Sequence, residues 1–411
     1  MSQTKTSRKK KIAVFIGGRS PEHDVSVVSG LQVFQAIDRA RFDPFVVYIA
    51  PGGEWLVGDN LNARNNFIPD SEARKSLTEV TLDVRAGRGG ALIPLKGGLF
   101  GAPKPIEFDV AIPAFHGLFG EDGQIQGAFE LANTPYTGMR TKASSLLMDK
   151  ATTKLALKAL DIPYLPYAVL RRPDSGYLIA EEEIDAHLKP LGYPCILKPS
   201  HLGSSIGVAK VKNAAEARAC LPAIFEYDTA AIAEPFVQNL VEYNVAVSKV
   251  TGKITTSAIE RPKTSQELLD FKEKYLAGGG TKGGTKGGTK SASAGSSEGM
   301  LSLTREINPE LSAETEGNIR EWAGRLFAAL DGSGAPRIDF IGNKKTGEVW
   351  LNEVNPCPGS FGYFLWEAAK EPLLFTELLS ALIDEAIKEN AAMTLPRDPV
   401  PEGARLLKRK G

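Results

Sequence analysis

The sequence predicts an α/β protein of two or three domains. In its first part, apolar strand patterns alternate with a helical pattern, which is typical of a parallel, doubly wound sheet. The length of 411 residues also exceeds what one hydrophobic core usually organises. Hydrophobic residues make up 42% of the chain and charged residues 24%, which is the ordinary balance of a globular protein.

The first predicted domain covers residues 1–138. It contains three short apolar runs, each predicted to be a buried strand: 12–16, 45–49 and 110–115. A glycine-containing turn at 17–20 follows the first run. Between the first two strands, apolar residues recur at spacings of four and three, which predicts a helix: Val27, Leu31 and Phe34.

The second predicted domain covers residues 139–232 and the third covers 233–395, followed by a tail at 396–411. A helix is expected over 147–160, ending before Pro163 because proline cannot continue it. The remaining predicted strands are 195–197, 208–211, 243–250, 253–260 and 349–354. The remaining predicted helices are 314–330 and 373–388.

One segment has no core-forming residues. Residues 279–290 repeat Gly-Gly-Thr-Lys three times, and serine, alanine and glycine dominate the residues that follow. This composition predicts a flexible loop over 277–299 rather than a solenoid repeat. The sequence leaves open whether this loop is a tolerated insertion or part of a mobile lid.

Charge and cysteine content exclude several classes of function. Lys plus Arg equals Asp plus Glu, 49 each, so no bulk charge favours nucleic acid or an acidic membrane. No apolar run approaches the roughly 18 residues of a membrane span, and no signal peptide is predicted. The widely spaced Cys195, Cys220 and Cys357 exclude a disulfide framework and a cysteine zinc site. The cysteine pattern fits a reducing cytoplasm, so a cytoplasmic protein is predicted.

Residues 203–207, Gly-Ser-Ser-Ile-Gly, allow two interpretations. They match the G-x-S-x-G nucleophile elbow of hydrolases, but an elbow precedes a helix, whereas residues 208–211 have a strand pattern. They belong to a glycine- and serine-rich loop between two strands, residues 200–207, which can instead hold phosphate with its backbone N–H groups. Lys198, just before this loop, could reach the same phosphate. A lysine by itself is more often simply exposed to solvent. The neighbouring loop is the reason to favour phosphate binding for Lys198. A P-loop sequence is absent.

Polar side chains on two predicted strands indicate a metal site. Alternation places Arg337 and Asp339 on one face of one strand, and Glu353 and Asn355 on one face of another. If these strands pair, two carboxylates and an amide oxygen converge, which is the environment that Mg²⁺ prefers. The alternative is an ordinary polar strand face.

At these residues the chain resembles the ATP-grasp superfamily and, within it, the D-alanine–D-alanine ligase family, over nearly its whole length. The motifs that match occur in the family's order: 17–26, 116–127, 135–138, 148–150, 198–199, 203–205, 274–275, 337–339, 352–355 and 358–359. The resemblance implies a three-domain ATP-grasp architecture with a Rossmann-like N-terminal domain. It also implies that ATP binds between the second and third domains.

The resemblance implies the residues that bind ATP and metal. Those expected at the phosphates are Lys150 and Lys198, with the loop at 200–207 closing over them. Ser205 and Lys274 are also expected to bind ATP. Those expected at the adenine are Glu234, Phe236 and Val237, with Glu242 on the ribose hydroxyls. Two Mg²⁺ ions, replaceable by Mn²⁺, would be held by Asp339, Glu353 and Asn355.

The resemblance likewise implies the residues around the amino acids. Glu22 would bind the ammonium group of the first amino acid, which His116 also faces. Ser204 and Tyr275 would join Glu22 in a hydrogen-bonded set that tethers the lid. Arg337 and the amide of Gly359 would stabilise the tetrahedral intermediate.

The acceptor side departs from the family's pattern. Phe364 occupies the place of a serine that helps hold the acceptor's carboxylate, and Ser360 lies in the same run. The resemblance therefore admits a second interpretation, a related dipeptide ligase with a different acceptor amino acid.

The expected reaction joins two D-alanines through an acyl phosphate, with ATP as co-substrate, for peptidoglycan precursor synthesis in a homodimeric enzyme. Two other classes stay open from the residues alone: a nucleotide-binding regulator without turnover and a serine hydrolase. Release of ADP that requires a D-amino acid would identify the ligase. Ester hydrolysis without ATP would identify the hydrolase.

Overall fold

The computed structural model describes residues 8–63, 67, 69, 71–85, 89–96, 104–203, 207–263, 305–395 and 400–406. The predicted loop at 277–299 lies outside the described residues. Ser204, Ser205, Lys274 and Tyr275 also lie outside them, so their predicted roles stay predictions. Of the predicted tail, only residues 400–406 are described.

The first sheet is mixed rather than wholly parallel. Its strands are β1 (Lys10–Gly17), β2 (Phe42–Ile49), β3 (Trp55–Val57), β4 (Thr78–Leu82), β5 (Gly90–Pro94), β6 (Ile106–Phe108) and β7 (Val110–Pro113). Their order in space is β6-β5-β4-β3-β2-β1-β7. β1 pairs in parallel with β2 and β7, as the sequence predicts. The antiparallel strands β3 to β6 were not predicted, because runs this short leave too few positions to show alternation.

Helix α1 (His23–Ala36) covers this sheet near the end of β1. Its Val27 and Leu31 are buried, as the spacing predicts, and Phe34 is partly buried beside them. Gly17 makes the turn between β1 and α1 with φ +88°. A Cβ atom there would lie 2.2 Å from the carbonyl oxygen of Ile49, so only glycine suits this position.

The helix predicted over 147–160 is in fact two helices. The short α2 (Ser71–Arg74) and α3 (Gln124–Leu131) precede them, and the two are α4 (Thr141–Met148) and α5 (Lys150–Ala159). Asp149 between them is extended, with φ −88° and ψ 109°, and its carboxylate accepts a hydrogen bond from the amide of Ala151. The prediction was wrong because a capping aspartate starts a new helix. The break places Lys150 in the first turn of α5.

The second sheet is antiparallel. Its strands are β8 (Ala168–Arg171), β9 (Cys195–Pro199), β10 (Ala209–Val211) and β11 (Ala230–Pro235), in the spatial order β10-β9-β11-β8. Helices α6 (Glu181–Leu188) and α7 (Ala214–Phe225) pack against it. Because β11 belongs to this sheet, we propose that the second domain ends after Pro235 rather than at residue 232.

The third sheet is also antiparallel. Its strands are β12 (Leu240–Ser248), β13 (Thr255–Pro262), β14 (Arg305–Ile307), β15 (Arg337–Asn343) and β16 (Val349–Asn355), in the order β14-β13-β12-β15-β16. Helix α8 (Ala313–Ala329) shares a hydrophobic core with β12, β15 and β16. A short turn at Gly359–Gly362 and helix α9 (Tyr363–Glu367) follow β16.

Helix α10 (Phe375–Met393) packs against the first sheet and α1. Its Leu378, Leu382 and Ile383 are buried in the same core as Ile12 and Leu31 of the first sheet and α1. Ion pairs extend the contact, with Arg140 2.6 Å from Glu389 and Arg41 2.9 Å from Asp384. None of the described helices is long and apolar enough to cross a membrane.

Leu382→Ala tests how far this shared core stabilises the chain. Leu382 is fully buried, so its truncation removes apolar contacts and leaves a cavity, with an expected loss of about 2–5 kcal/mol in the free energy of unfolding. The matched control is Leu155→Ala on α5, where the side chain is 60% exposed and a change within about 0.5 kcal/mol is expected. Urea denaturation measures both. Equal effects would contradict the role given to the shared core.

Candidate active site

The pairing of β15 with β16 brings the predicted metal ligands together. In the register, Arg337 lies opposite Asn355 and Asp339 lies opposite Glu353. Arg337 donates to both oxygens of Asp339, from Nε at 2.6 Å and from Nη2 at 2.7 Å. Asn355 Nδ2 donates to Asp339 Oδ2 at 2.9 Å. The two strands therefore pair, with Asp339 in register with Glu353, and the role of these side chains as metal ligands stays a prediction.

Two lysines from the second domain extend toward this pair of strands. Lys150 Nζ lies 3.3 Å from Glu353 Oε2 and donates to the carbonyl of Leu202 at 2.6 Å. Lys198 Nζ lies 2.7 Å from Glu234 Oε2 and donates to Asn352 Oδ1 at 2.8 Å. Both lysines are buried. Each therefore links the second domain to β16 of the third sheet.

A third lysine, Lys154, was not predicted. It is almost fully buried, and its Nζ lies 2.6 Å from Glu234 Oε1. Glu234 thus lies between Lys154 and Lys198. Burial raises the pKa of Glu234, but the two lysines outweigh burial and the net shift is downward. A signal for Lys154 was present, since it follows Lys150 by four residues and the two share one helix face.

Burial also opposes the charge of each lysine. For Lys198, Glu234 and Glu353 outweigh burial, and the pKa of Lys198 is raised. For Lys154, burial is the larger effect and Lys198 adds repulsion, so its pKa is lowered despite Glu234. The Lys198 side chain is therefore firmly cationic at the mouth of the glycine- and serine-rich loop.

Two of the residues predicted to hold adenine and ribose, Glu234 and Glu242, lie near Lys198. Phe236 and Val237 follow β11 directly, and the amide of Phe236 donates to the carbonyl of Pro194 at 3.0 Å. Lys210 Nζ lies 3.5 Å from the centroid of the Phe236 ring. Glu242 on β12 contributes negative charge at Lys198. Of the predicted nucleoside residues, Glu234 and Glu242 thus lie near enough to Lys198 to act on its charge.

The glycine- and serine-rich loop is a hairpin connection rather than a hydrolase elbow. It joins β9 to β10, and these strands pair antiparallel with Leu197 opposite Ala209. A strand therefore follows the loop where an elbow needs a helix. The elbow interpretation is not supported.

Glu22 lies at the meeting point of the first domain and this loop. A Cβ atom on Gly117, whose φ is +75°, would lie 2.5 Å from Glu22 Oε2 and 2.3 Å from Ser20 Oγ, so the first domain requires glycine at position 117. A Cβ atom on Gly203 would lie 3.5 Å from both carboxylate oxygens of Glu22. The described start of the loop is therefore in contact range of Glu22.

Glu121 was in a matching motif, but no role was predicted for it. Its Oε1 accepts from the amide of Gly117 at 2.8 Å, and its Oε2 accepts from the amide of Cys357 at 2.9 Å. Burial and the nearby Glu22 raise its pKa to about 8. The side chain ties the first domain to the turn that follows β16.

His116 and Ser360 are joined through Ser29. His116 Nε2 lies 3.0 Å from Ser29 Oγ, and the amide of Ser360 donates to the same oxygen at 3.1 Å. Ser360 Oγ also contacts Gln32 Oε1. Ser360 has a left-handed backbone, φ +48°, directly after Gly359. The donor and acceptor residues predicted from the two ends of the chain are thus neighbours.

Phe364 lies on α9, on the side of β14. Its ring is partly buried and packs against the core shared by the first sheet and α10. The guanidinium of Arg305 lies 4.4 Å from the ring centroid, and Arg305 Nη1 lies 3.1 Å from Glu260 Oε1. Phe364 therefore contributes both to hydrophobic packing and to a cation–π contact with Arg305.

The donor set of Asp339, Glu353 and Asn355 suits a hard cation such as Mg²⁺, because its ligands are carboxylate and amide oxygens. Across the described ranges, no group of three or more His, Cys, Asp or Glu side chains is arranged to hold a metal ion. Any ion at this site would therefore draw part of its coordination from ligand oxygens or water.

Comparison with known proteins gives a consistent result. The family described as "D-ala D-ala ligase N-terminus" matches residues 11–139, and the family described as "D-ala D-ala ligase C-terminus" matches residues 156–287 and 297–384. The chain is 34% identical over 410 residues to the D-alanine–D-alanine ligase of Heliobacterium modesticaldum, covering 95% of this chain and 99% of that protein. It is 32% identical over 391 residues to that of Ruminiclostridium cellulolyticum, covering 92% and 96%.

Among solved structures, the chain resembles the VanG D-Ala:D-Ser ligase from Enterococcus faecalis. The identity is 28%, the TM-score is 0.70, and the match covers 92% of this chain and 100% of that one.

His116→Gln tests the buried, neutral state of this imidazole. Burial lowers the pKa of His116 to about 4 from an ordinary value of 6.5. Between these values the unfolded chain binds a proton that the folded chain does not, so stability falls as pH falls, by about 1.4 kcal/mol per pH unit at most. Glutamine does not titrate, so the variant should lose less stability over this interval. Parallel pH profiles of urea unfolding would contradict the prediction.

Proposed function

The chain belongs to the D-alanine–D-alanine ligase family of the ATP-grasp superfamily, and we propose that the buried charges described above perform its reaction in the roles that follow. As a member of this family it is an ATP-dependent ligase that joins two D-alanines for peptidoglycan synthesis, with release of ADP and phosphate. A different acceptor is not favoured, because the curated relatives at 34% and 32% identity carry the D-alanine–D-alanine name. The convergence of Lys150, Lys198, Asp339 and Glu353 supports the assignment of roles.

In the first half of the reaction, a carboxylate oxygen of the first D-alanine attacks the terminal phosphorus of ATP. An acyl phosphate forms as the bond to ADP breaks. The transferring phosphoryl group needs cations on its oxygens. Lys150 and Lys198 supply them from two elements of the second domain, while the described start of the loop, residues 200–203, lies between Lys150 and Glu22.

Asp339, Glu353 and Asn355 would hold the divalent metal. We propose two Mg²⁺ ions, replaceable by Mn²⁺. Bound there, the metal would neutralise charge on the phosphate oxygens. The residues themselves are already ordered for this, since Arg337 and Asn355 both donate to Asp339 and fix its carboxylate on β15.

In the second half, the amine of the second D-alanine attacks the acyl carbon. The C–N bond forms, the C–O bond to phosphate breaks, phosphate leaves with that electron pair, and the nitrogen releases a proton. Arg337 and the amide of Gly359 are the donors that we assign to the oxyanion. Glu22 would bind the ammonium of the first D-alanine, which His116 faces in its neutral form.

The nucleoside would lie against Phe236, Val237 and the backbone of Glu234, with Glu242 toward the ribose. The lid residues Ser204, Ser205, Lys274 and Tyr275 keep the roles that the resemblance implies, and a lid that excludes water would protect the acyl phosphate from hydrolysis. We also propose a homodimer in the cytoplasm, which suits the three free cysteines.

Glu353→Gln and Asp339→Asn test the metal and phosphate site. The wild-type protein should release ADP from ATP only when D-alanine is present, and each variant should lose nearly all of this activity because a neutral amide cannot balance phosphate charge. The matched control is Glu348→Gln, an exposed carboxylate in the turn of the same β15–β16 hairpin, which should keep full activity. Coupled ADP release with circular dichroism of each variant measures both turnover and fold. ADP release without D-alanine, or full activity of either site variant, would contradict the assignment.

Phe364→Ser tests the acceptor pocket. A hydroxyl there would restore a hydrogen bond to a charged carboxylate, worth about 1.5–3 kcal/mol, so the KM for the second D-alanine should fall clearly while that for the first stays close to its original value. Phe375→Ser is the control, because that ring stacks on Tyr363 at 4.6 Å and occupies no position that the resemblance assigns to the substrates. Steady-state kinetics at both amino-acid sites distinguishes them. Loss of stability in both variants with unchanged KM would make Phe364 a packing residue only.

A further inference from the structure

His201, at the start of the glycine- and serine-rich loop, lies between two carboxylates. Its Nδ1 is 2.8 Å from Asp228 Oδ1, and its backbone amide donates to Asp228 Oδ2 at 2.7 Å. Its Nε2 lies 3.9 Å from Asp149 Oδ2. The imidazole therefore bridges two acidic groups that belong to different elements.

The carboxylate on one side, Asp149, is joined to the loop and to α5. Asp149 Oδ1 accepts from Ser200 Oγ at 2.8 Å and from the amide of Ala151 at 2.9 Å. The amide of Lys150 donates to the carbonyl of Ser200 at 3.0 Å, and Lys150 Nζ donates to the carbonyl of Leu202 at 2.6 Å. The first residues of the loop and the first turn of α5 are thus one hydrogen-bonded unit that contains a lysine of the active site.

The carboxylate on the other side, Asp228, is joined to β11. Asp228 Oδ1 accepts from the amide of Ala230 at 3.2 Å, and the amide of Ser200 donates to the carbonyl of Ala230 at 3.0 Å. Asp228 is buried. Because β11 also carries Glu234, His201 connects the strand that positions Lys198 with the helix that begins at Lys150.

A cavity of about 480 Å³ opens beside the imidazole. The side chain of His201 is one-third exposed, so its ring can exchange protons with solvent. The charged groups that face it or line the cavity are mostly acidic: Asp122, Asp149, Lys150, Arg172, Glu226 and Asp228. The hydrogen bond to Asp228 is the largest effect and raises the pKa of His201; burial lowers it, Asp149 raises it, Lys150 lowers it, and the net shift is upward.

We propose that His201 is a positioning residue for ATP, whose imidazolium holds the start of the loop against α5 and thereby places Lys150 for the phosphates. This inference rests on the phosphate-binding role proposed for Lys150 and the loop. When the ring loses its proton, Asp149 and Asp228 lose the positive charge between them. The start of the loop is then held less firmly, and ATP binds more weakly. The loss sets in as pH rises through the raised pKa of His201.

The test is the pH dependence of KM for ATP in the full-length enzyme at saturating D-alanine and Mg²⁺. His201→Gln should raise this KM about tenfold near pH 6.5, where only the wild type carries the charge, and about twofold at most near pH 9. The KM for D-alanine should change by less than about twofold. His201→Lys keeps a positive charge at both pH values, so it should keep a low KM for ATP near pH 9. His187→Gln, on the exposed face of α6, is the matched histidine control and should follow the wild type at every pH.

A ratio of variant to wild-type KM that is independent of pH would overturn the proposal, since a purely structural role predicts a constant defect. Unchanged KM in His201→Gln would overturn it as well. If His201→Gln does not fold, Asp228→Asn replaces it, and its KM for ATP should begin to rise at a lower pH than in the wild type. An unmoved profile would again overturn the proposal. Absence of D-alanine-dependent ADP release in the wild type would instead refute the proposed function, so the two failures are distinguishable.

Discussion

The arrangement of the active site depends on one constraint, namely that charges removed from water must be paired. An unpaired buried ion is strongly destabilising, whereas a buried pair with further hydrogen bonds is tolerated. Here Asp339 forms an ion pair with Arg337, and Glu353 forms one with Lys150. Glu234 lies between Lys154 and Lys198 and pairs with both. One of these pairs, Lys150 with Glu353, crosses from the second domain to β16, and the hydrogen bond from Lys198 to Asn352 crosses as well. These two contacts therefore join α5 and the second sheet to the third sheet.

This pairing also suits the chemistry proposed for the site. Lysines held against carboxylates are cations already stripped of much of their water, so phosphate oxygens that replace those carboxylates meet preorganised charge. Because Lys198 keeps its proton through its neighbours, its charge does not depend on the ligand. Among the described residues, Lys154 pairs with Glu234 and repels Lys198. We infer that it fixes the carboxylate rather than the phosphate.

The amino-acid side of the site depends on neutral hydrogen bonds instead. Glu121 and Ser29 each accept an amide from the turn after β16 while also contacting the 116–117 segment of the first domain. These bonds bring Glu22 and His116 to Arg337 and Gly359, which the sequence separates by more than half the chain. The hydrophobic core that α10 shares with the first sheet supports this junction.

Local sequence determined much of this protein. Alternation alone placed Arg337 with Asp339 and Glu353 with Asn355, because side-chain direction along a strand follows a period of two. The glycine- and serine-rich loop after Lys198 could be identified for a similar reason, because the loop and the two strands that flank it are contiguous in the sequence. The tertiary structure alone decided the partners: Glu234 for Lys154, Cys357 for Glu121, and Asp228 for His201. It also decided the break at Asp149 and the antiparallel strands β3 to β6. Such contacts join residues as far apart as the 236 positions between Glu121 and Cys357, and no local period records which distant group will neutralise a buried charge.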